Sequence, residues 1–164
     1  ARRPSEGGVG VAGVLLRRVG SRLREYVARL GGPDTPVWVL RLRVGILALL
    51  LATVDGSFDS VSVRWREEFA LTVVLACRGY PGDYVKGTEI RGLSQDFGED
   101  LQIFHAGTTS RDGKIWATGG RVLNVTALGK TAKDAQTRAY AAVDRIDWPE
   151  AFCRRGIGRR AATP

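Results

Sequence analysis

From Phe69 to Cys77 the chain is apolar at every position except Thr72. A run of that kind cannot lie on a solvated surface, and its length and near-continuity suit a central strand covered on both faces. Such a strand needs partners, and short candidates follow around Thr88 to Arg91, Leu101 to His105, Lys114 to Ala117 and Arg121 to Leu128. Ahead of it, Val61, Val63 and Trp65 alternate with polar neighbours, as a half-buried strand does. Thr131 with Asp134 three residues on marks a helix start. Ala135, Ala139, Ala142, Val143 and Ile146 then recur on one face, so a helix near 131–145 covers one side of the sheet. Upstream, the turn at Gly31 to Pro36 breaks the chain; Asp34 or Thr35 can cap a helix with Pro36 in its first turn, running to about Val54 and ended by Asp55 and Gly56. Val14 to Val19 and Leu23 to Val27, separated by Gly20 and Ser21, read as a hairpin behind a glycine-rich, mobile lead of residues 1–13. The order is α+β: an antiparallel sheet packed against a helix. There is no internal repeat.

Composition excludes several classes of function. The chain has 164 residues, 44% apolar and 26% charged, enough for a core and one domain with a remnant of another. Two cysteines, Cys77 and Cys153, and one histidine match no zinc-ligand spacing; free thiols in a reducing, cytoplasmic setting are the simplest reading. The longest apolar stretch, Val44 to Val54, falls well short of the roughly 20 residues that span a bilayer, so a buried helix is expected there and no membrane partner. No signal sequence opens the chain, and without an initiator methionine it reads as a fragment or a processed product. The net charge of +8 comes from arginines gathered at the two ends, among them Arg2, Arg3, Arg17, Arg18, Arg154, Arg155, Arg159 and Arg160. A solvated basic surface accounts for them. Nucleic acid is disfavoured, because Trp38, Trp65, Trp116 and Trp148 are not interleaved with the basic residues as a stacking platform requires.

Three glycine-bearing signatures remain: Gly79-Tyr80-Pro81-Gly82-Asp83-Tyr84-Val85-Lys86-Gly87, Phe104-His105-Ala106-Gly107-Thr108 and Gly119-Gly120-Arg121-Val122-Leu123. Together with Val125 to Gly129, Ala139 to Val143 and Arg154 to Gly158, they resemble the C-terminal domain of phosphoribosylamine-glycine ligase, an ATP-grasp enzyme of purine biosynthesis, from about Asp55 to the end. The resemblance divides the chain into residues 1–54, a remnant of the ATP-grasp domain, and 55–164, a domain that walls the substrate cleft. It implies ATP and Mg2+ (or Mn2+) in the intact enzyme, glycine and 5-phosphoribosylamine as substrates, and upstream domains as partners. The segment Glu25 to Pro36 matches the family stretch in which a Glu and an Asn hold the metal. Here Glu25 is kept and Val27 stands at the Asn position, a hydrocarbon with no lone pair for a hard cation. Gly32, Pro36, Gly45 and Gly156 are further departures from the family pattern. The chain alone is therefore expected to bind neither metal nor nucleotide well and not to turn over.

No residue is singled out as catalytic. Glu25 is the metal candidate and Arg29 the nucleotide-facing one, with a surface ion pair between them as the competing account. Gly119 and Gly120 set Arg121 beside closely approachable backbone, suited to a carboxylate or a sugar phosphate; a plain hairpin turn is the alternative. His105 and Thr108 can face the same cleft, or serve structure only. Tyr80 and Lys86 belong to a turn that is either substrate-facing or simple loop chemistry. Arg154 and Arg155 read as solvated tail residues or as a docking point for the missing domain. A noncatalytic interaction module with arginine-rich ends, and more weakly a nucleic-acid binder, stand as alternatives to the ligase fragment.

Overall fold

A computed structural model describes residues 35–43 and 46–162. The expected lead and hairpin, and with them Glu25, Val27 and Arg29, lie outside the described residues. Helix α1 (Thr35–Arg41) and helix α2 (Ile46–Val54) come first, followed by a 3-10 turn at Phe58–Ser60. Strands β1 (Phe69–Cys77), β2 (Thr88–Ile90), β3 (Leu101–His105), β4 (Thr108–Arg111), β5 (Lys114–Ala117) and β6 (Arg121–Gly129) precede helix α3 (Ala132–Arg145), strand β7 (Ala151–Phe152) and a last short helix α4 (Arg159–Ala162).

The single helix expected from Pro36 to Val54 is two. Leu42 forms an isolated antiparallel bridge with Trp65, and Arg43 N–H donates to the Arg64 carbonyl at 2.9 Å. A backbone committed to that pairing cannot continue an α-helical ladder. Among the described residues the same bridge is all that forms of the strand expected over Val61 to Trp65: these residues alternate half-buried and exposed as anticipated, but no described strand lies beside them. Nor is α2 a fully buried helix. Leu49 and Ala52 are buried, whereas Leu47, Leu51 and Val54 are 65%, 54% and 83% exposed.

Among the described residues there are two sheets instead of one, both antiparallel: a four-stranded sheet in the order β3-β6-β1-β7 and a three-stranded sheet in the order β2-β5-β4. The apolar run is central, as expected. β1 pairs with β6 from Phe69 opposite Gly129 to Leu75 opposite Leu123, and then a bulge skips Val122 and sets Ala76 opposite Arg121. Directly opposed residues share a face, so Leu71, Val73 and Leu75 point with Leu123, Val125 and Ala127 toward α3, where Ala139, Ala142 and Val143 meet them. Thr72, Val74 and Ala76 point to the other face. There the hydroxyl of the fully buried Thr126 donates to Thr72 Oγ1 at 2.9 Å, which removes the cost of an unpaired hydroxyl in the sheet.

Helix α3 begins where the sequence placed it. The Thr131 side chain accepts from Asp134 N–H and the Asp134 carboxylate accepts from Thr131 N–H, both at 3.1 Å, a reciprocal capping box. The three-stranded sheet is tied to the end of this helix by paired backbone bonds between Arg91 and Asp147 and by Trp148 Nε1, which donates to Thr88 Oγ1 at 2.9 Å.

Val73 is wholly buried between β6 and α3. Val73→Asp leaves a carboxylate there with no partner, a cost of several kcal/mol against a total stability of roughly 5–15 kcal/mol. The expected outcome in a circular-dichroism melt is loss of the cooperative transition; a variant melting within a few degrees of the parent contradicts this core.

Candidate functional site

The bulge that ends the β1–β6 ladder decides where Arg121 goes. In an unbroken register Ala76 would face residue 122; the skipped Val122 turns Arg121 onto the face of Thr72, Val74 and Ala76. Arg121 there lines a cavity of about 470 Å3 floored by those three residues. Tyr80 and Pro81, on the turn after β1, form one side. Phe152, Cys153, Arg154 and Ile157, from β7 and the segment after it, form the other. Among the described residues no carboxylate lines it.

The glycines next to Arg121 serve the protein's own packing. A Cβ on Gly120 would sit 2.2 Å from Tyr80 Cδ2, so the ring lies against that backbone and the missing side chain seats Tyr80 at the cavity wall. Gly119 meets Gly107: a Cβ on Gly107 would come within 2.7 Å of Gly119 Cα and 2.6 Å of the Arg121 carbonyl. Gly107 O also accepts from Thr118 N–H at 2.7 Å. Two of the three glycine signatures thus converge through backbone contact. The first joins them through Tyr80, whose ring also meets Tyr84 edge-on with centroids 6.1 Å apart.

The remaining predicted residues are not brought to the cavity. His105 pairs in register with Leu123, whose side chain faces α3, so the histidine projects from the opposite face to Arg121. Its Nδ1 lies 3.1 Å from Thr108 Oγ1 across the turn at Ala106 and Gly107. Lys86 stands with its ammonium 5.8 Å from the Tyr84 ring centroid. Neither residue of the His105–Thr108 pair, nor Lys86, lines the space beside Arg121.

Arg154, expected from sequence to be a solvated tail residue or a docking point for the missing domain, is exposed and also lines the cavity. Its backbone is pinned to α3: Tyr140 Oη donates to the Arg154 carbonyl at 2.6 Å and accepts from Ile157 N–H at 3.0 Å, while Gln136 Nε2 donates to the Ile157 carbonyl at 2.6 Å. Arg155, next in sequence, turns the other way and pairs with Asp144 at 2.6 Å. Tyr140 and Gln136, four apart on one helix face, were the available signal, but nothing local says what they hold. Cys153 also lines the cavity. Burial pushes its thiol above the ordinary range, as it does that of Cys77, so both are protonated at neutral pH and neither is an activated nucleophile.

The described residues do not fit a metal site, since no group of three or more His, Cys, Asp or Glu side chains gathers among them. The positions that the resemblance assigns to a metal fall outside them. Among the described residues no helix is long and apolar enough to cross a membrane.

An arginine-bearing pocket on an α+β module is thus the candidate site, and the comparisons say which module. The family model for the phosphoribosylglycinamide synthetase C domain matches residues 70–160, and the chain belongs to that family. Curated relatives named phosphoribosylamine-glycine ligase include those of Mesorhizobium japonicum, 54% identical over 154 residues, and Agrobacterium fabrum, 48% identical over 154 residues; each alignment takes in 94% of this chain and 36% of the relative. The crystal structure of phosphoribosylamine-glycine ligase from Thermotoga maritima matches with a TM-score of 0.50 at 33% identity, over 65% of this chain and 26% of that one. The chain thus spans about a third of the length of the curated relatives it matches, 36% in both cases given.

Gly120→Ala drives a methyl group into the Tyr80 ring and is expected to lower stability by about 1–3 kcal/mol, the usual cost of overpacking. Combined with Tyr80→Ala, the glycine substitution loses most of its effect. Thermal melts of the two single variants and the double variant check this, and strictly additive losses contradict the contact.

Proposed function

We propose that this chain is the C-terminal portion of an ATP-dependent ligase that joins glycine to 5-phosphoribosylamine in purine biosynthesis, a cytoplasmic activity, and that it contributes a wall of the substrate cleft. The observation that carries this reading is the coincidence of family match and pocket: the segment matching the C domain contains all the lining residues of the Arg121 cavity. In this reading residues 55–164 are the cleft domain and 1–54 a remnant of the ATP-grasp domain. ATP and Mg2+ (or Mn2+) are held by upstream sequence, with Glu25 and Arg29 at its edge and Val27 in place of a ligand.

Substrate chemistry fits the site better than the alternatives do. Both substrates carry anionic groups, and the Arg121 side chain presents five fixed donors with no ion pair or hydrogen bond among the described residues. The proposed cleft narrows to Tyr80, Gly119, Gly120 and Arg121, with the glycines placing Tyr80 and the turn. His105, Thr108 and Lys86 are left to turn structure. The reading of the C-terminal arginines as a nucleic-acid tail loses support from Arg155, which is paired with Asp144, and from Arg154 at the cavity.

Helix α2 bears on the partner. Its nine residues carry no charge, and Leu47, Leu51 and Val54 recur at i, i+4 and i+7 on an exposed stripe. A helix apolar all round is one that another surface covers. The upstream domains of the ligase, present in the curated relatives over the part that this chain does not span, are the proposed cover.

The test is complementation. The upstream part of the Mesorhizobium japonicum ligase, supplied with this chain carrying Val27→Asn, is expected to condense glycine with 5-phosphoribosylamine at the expense of ATP. Arg121→Ala is expected to raise the apparent KM for a substrate about tenfold, the worth of one charged hydrogen bond, at unchanged melting temperature. Leu51→Glu is expected to cut the recovered activity while leaving the isolated chain folded. A folded chain that never complements, and holds RNA with steep salt dependence instead, overturns the reading in favour of a basic binding module.

A further inference from the structure

We propose that Arg154 is the second half of an anion site whose first half is Arg121, that the two guanidinium groups take the phosphate of a sugar phosphate, and that Tyr140 is the positioning residue that holds Arg154 there. The proposal rests on the reading of this cavity as part of a substrate cleft.

The charges are the first argument. Three other arginines of this domain meet a carboxylate: Arg91 with Asp147 at 2.8 Å, Arg138 with Asp100 at 3.0 Å and Arg155 with Asp144 at 2.6 Å. Arg121 and Arg154 make no ion pair and no side-chain hydrogen bond among the described residues, yet both line one cavity in which no acidic side chain answers them. Two like charges that line one cavity repel, and a bound anion between them turns that repulsion into attraction. A phosphate monoester, with a charge near −2 at neutral pH and three acceptor oxygens, matches two planar donor forks better than a single carboxylate does.

Shape is the second. Val74 and Ala76 give the cavity an apolar floor, and Tyr80 and Phe152 stand at its two sides. At about 470 Å3 it has room for a pentose beside the phosphate, far more than an amino acid as small as glycine needs.

The third is how Arg154 is aimed. Arg154 lines this cavity and Arg155 does not. Asp144 draws Arg155 down onto α3, with its guanidinium 5.6 Å from the Tyr140 ring centroid, and this leaves Arg154 to the cavity side. The Tyr140 hydroxyl fixes that choice by bonding the backbone on either side of the turn, at Arg154 O and Ile157 N.

Titration of the intact chain with ribose 5-phosphate, followed by calorimetry with ribose as the uncharged control, tests this. Binding of the phosphate ester and none of ribose is expected. Arg154→Gln and Arg121→Gln should each weaken it about tenfold, and Arg154→Lys should recover part of the loss. Tyr140→Phe keeps the ring under Arg155 and removes only the hydroxyl; it should weaken ribose 5-phosphate several-fold while the melting temperature moves little. No binding up to about 10 mM, a free energy under roughly 3 kcal/mol, overturns the site. Equal affinity in the parent and Arg154→Gln overturns the role of Arg154, and a Tyr140→Phe loss that merely follows its loss of stability overturns the positioning role. Failure of ligase complementation with this binding intact strikes the parent reading alone.

Discussion

Strands β1 and β6 pair along nearly their whole length, and that register gives direction to almost everything else in the domain. One side of the paired ribbon is apolar enough to hold α3 by Ala139, Ala142 and Val143; the other mixes threonine, valine and alanine. Had the ladder run to its end without the skip at Val122, Arg121 would have fallen on the face of Leu123 and Val125, toward the apolar core under α3, where burying a guanidinium costs several kcal/mol. The bulge therefore does two things. It keeps a charged residue out of the core, and it delivers the same residue to the open face beside Tyr80.

The elements read correctly from sequence are those whose cause is local. β1 announces itself by composition, and α3 by a capping box and alanines at helical spacing, because both signals lie within a few residues of what they specify. The break between α1 and α2 is different. Gly45 is a weak local hint; the pairing itself is with Trp65, 23 residues on by number, which stands opposite Leu42 in a bridge whose hydrogen bonds run from Arg43 N–H to Arg64 O and from Arg66 N–H to Arg41 O. β7 escapes for a similar reason, being two residues whose extended form exists only because Ala76 and Cys77 lie beside them.

The candidate site divides along the same line. Arg121 stands out in sequence because two glycines precede it, and those glycines admit the Tyr80 ring and the Gly107 backbone. His105 and Thr108 carry an equally suggestive motif, yet His105 falls on the other face of its sheet and Thr108 belongs to the smaller sheet, since the parity and partner of a strand position are invisible until its register is known. Arg154 looked like one more basic residue of a charged tail. Its neighbour Arg155 differs from it in sequence by nothing, and only the Tyr140 clip and Asp144 separate the two into a cavity-lining residue and a surface ion pair.

The glycine-to-glycine contact of Gly107 and Gly119 is also where the chain crosses between the two sheets, outward from β3 to β4 and back from β5 to β6. Both crossings lie within van der Waals reach of each other, and Arg121 follows the second by two residues. The smaller sheet thus holds to the rest of the domain both at this glycine contact beside Arg121 and by the Arg91–Asp147 and Trp148–Thr88 bonds at the end of α3, so its position bears on the cavity wall and on the helix end together.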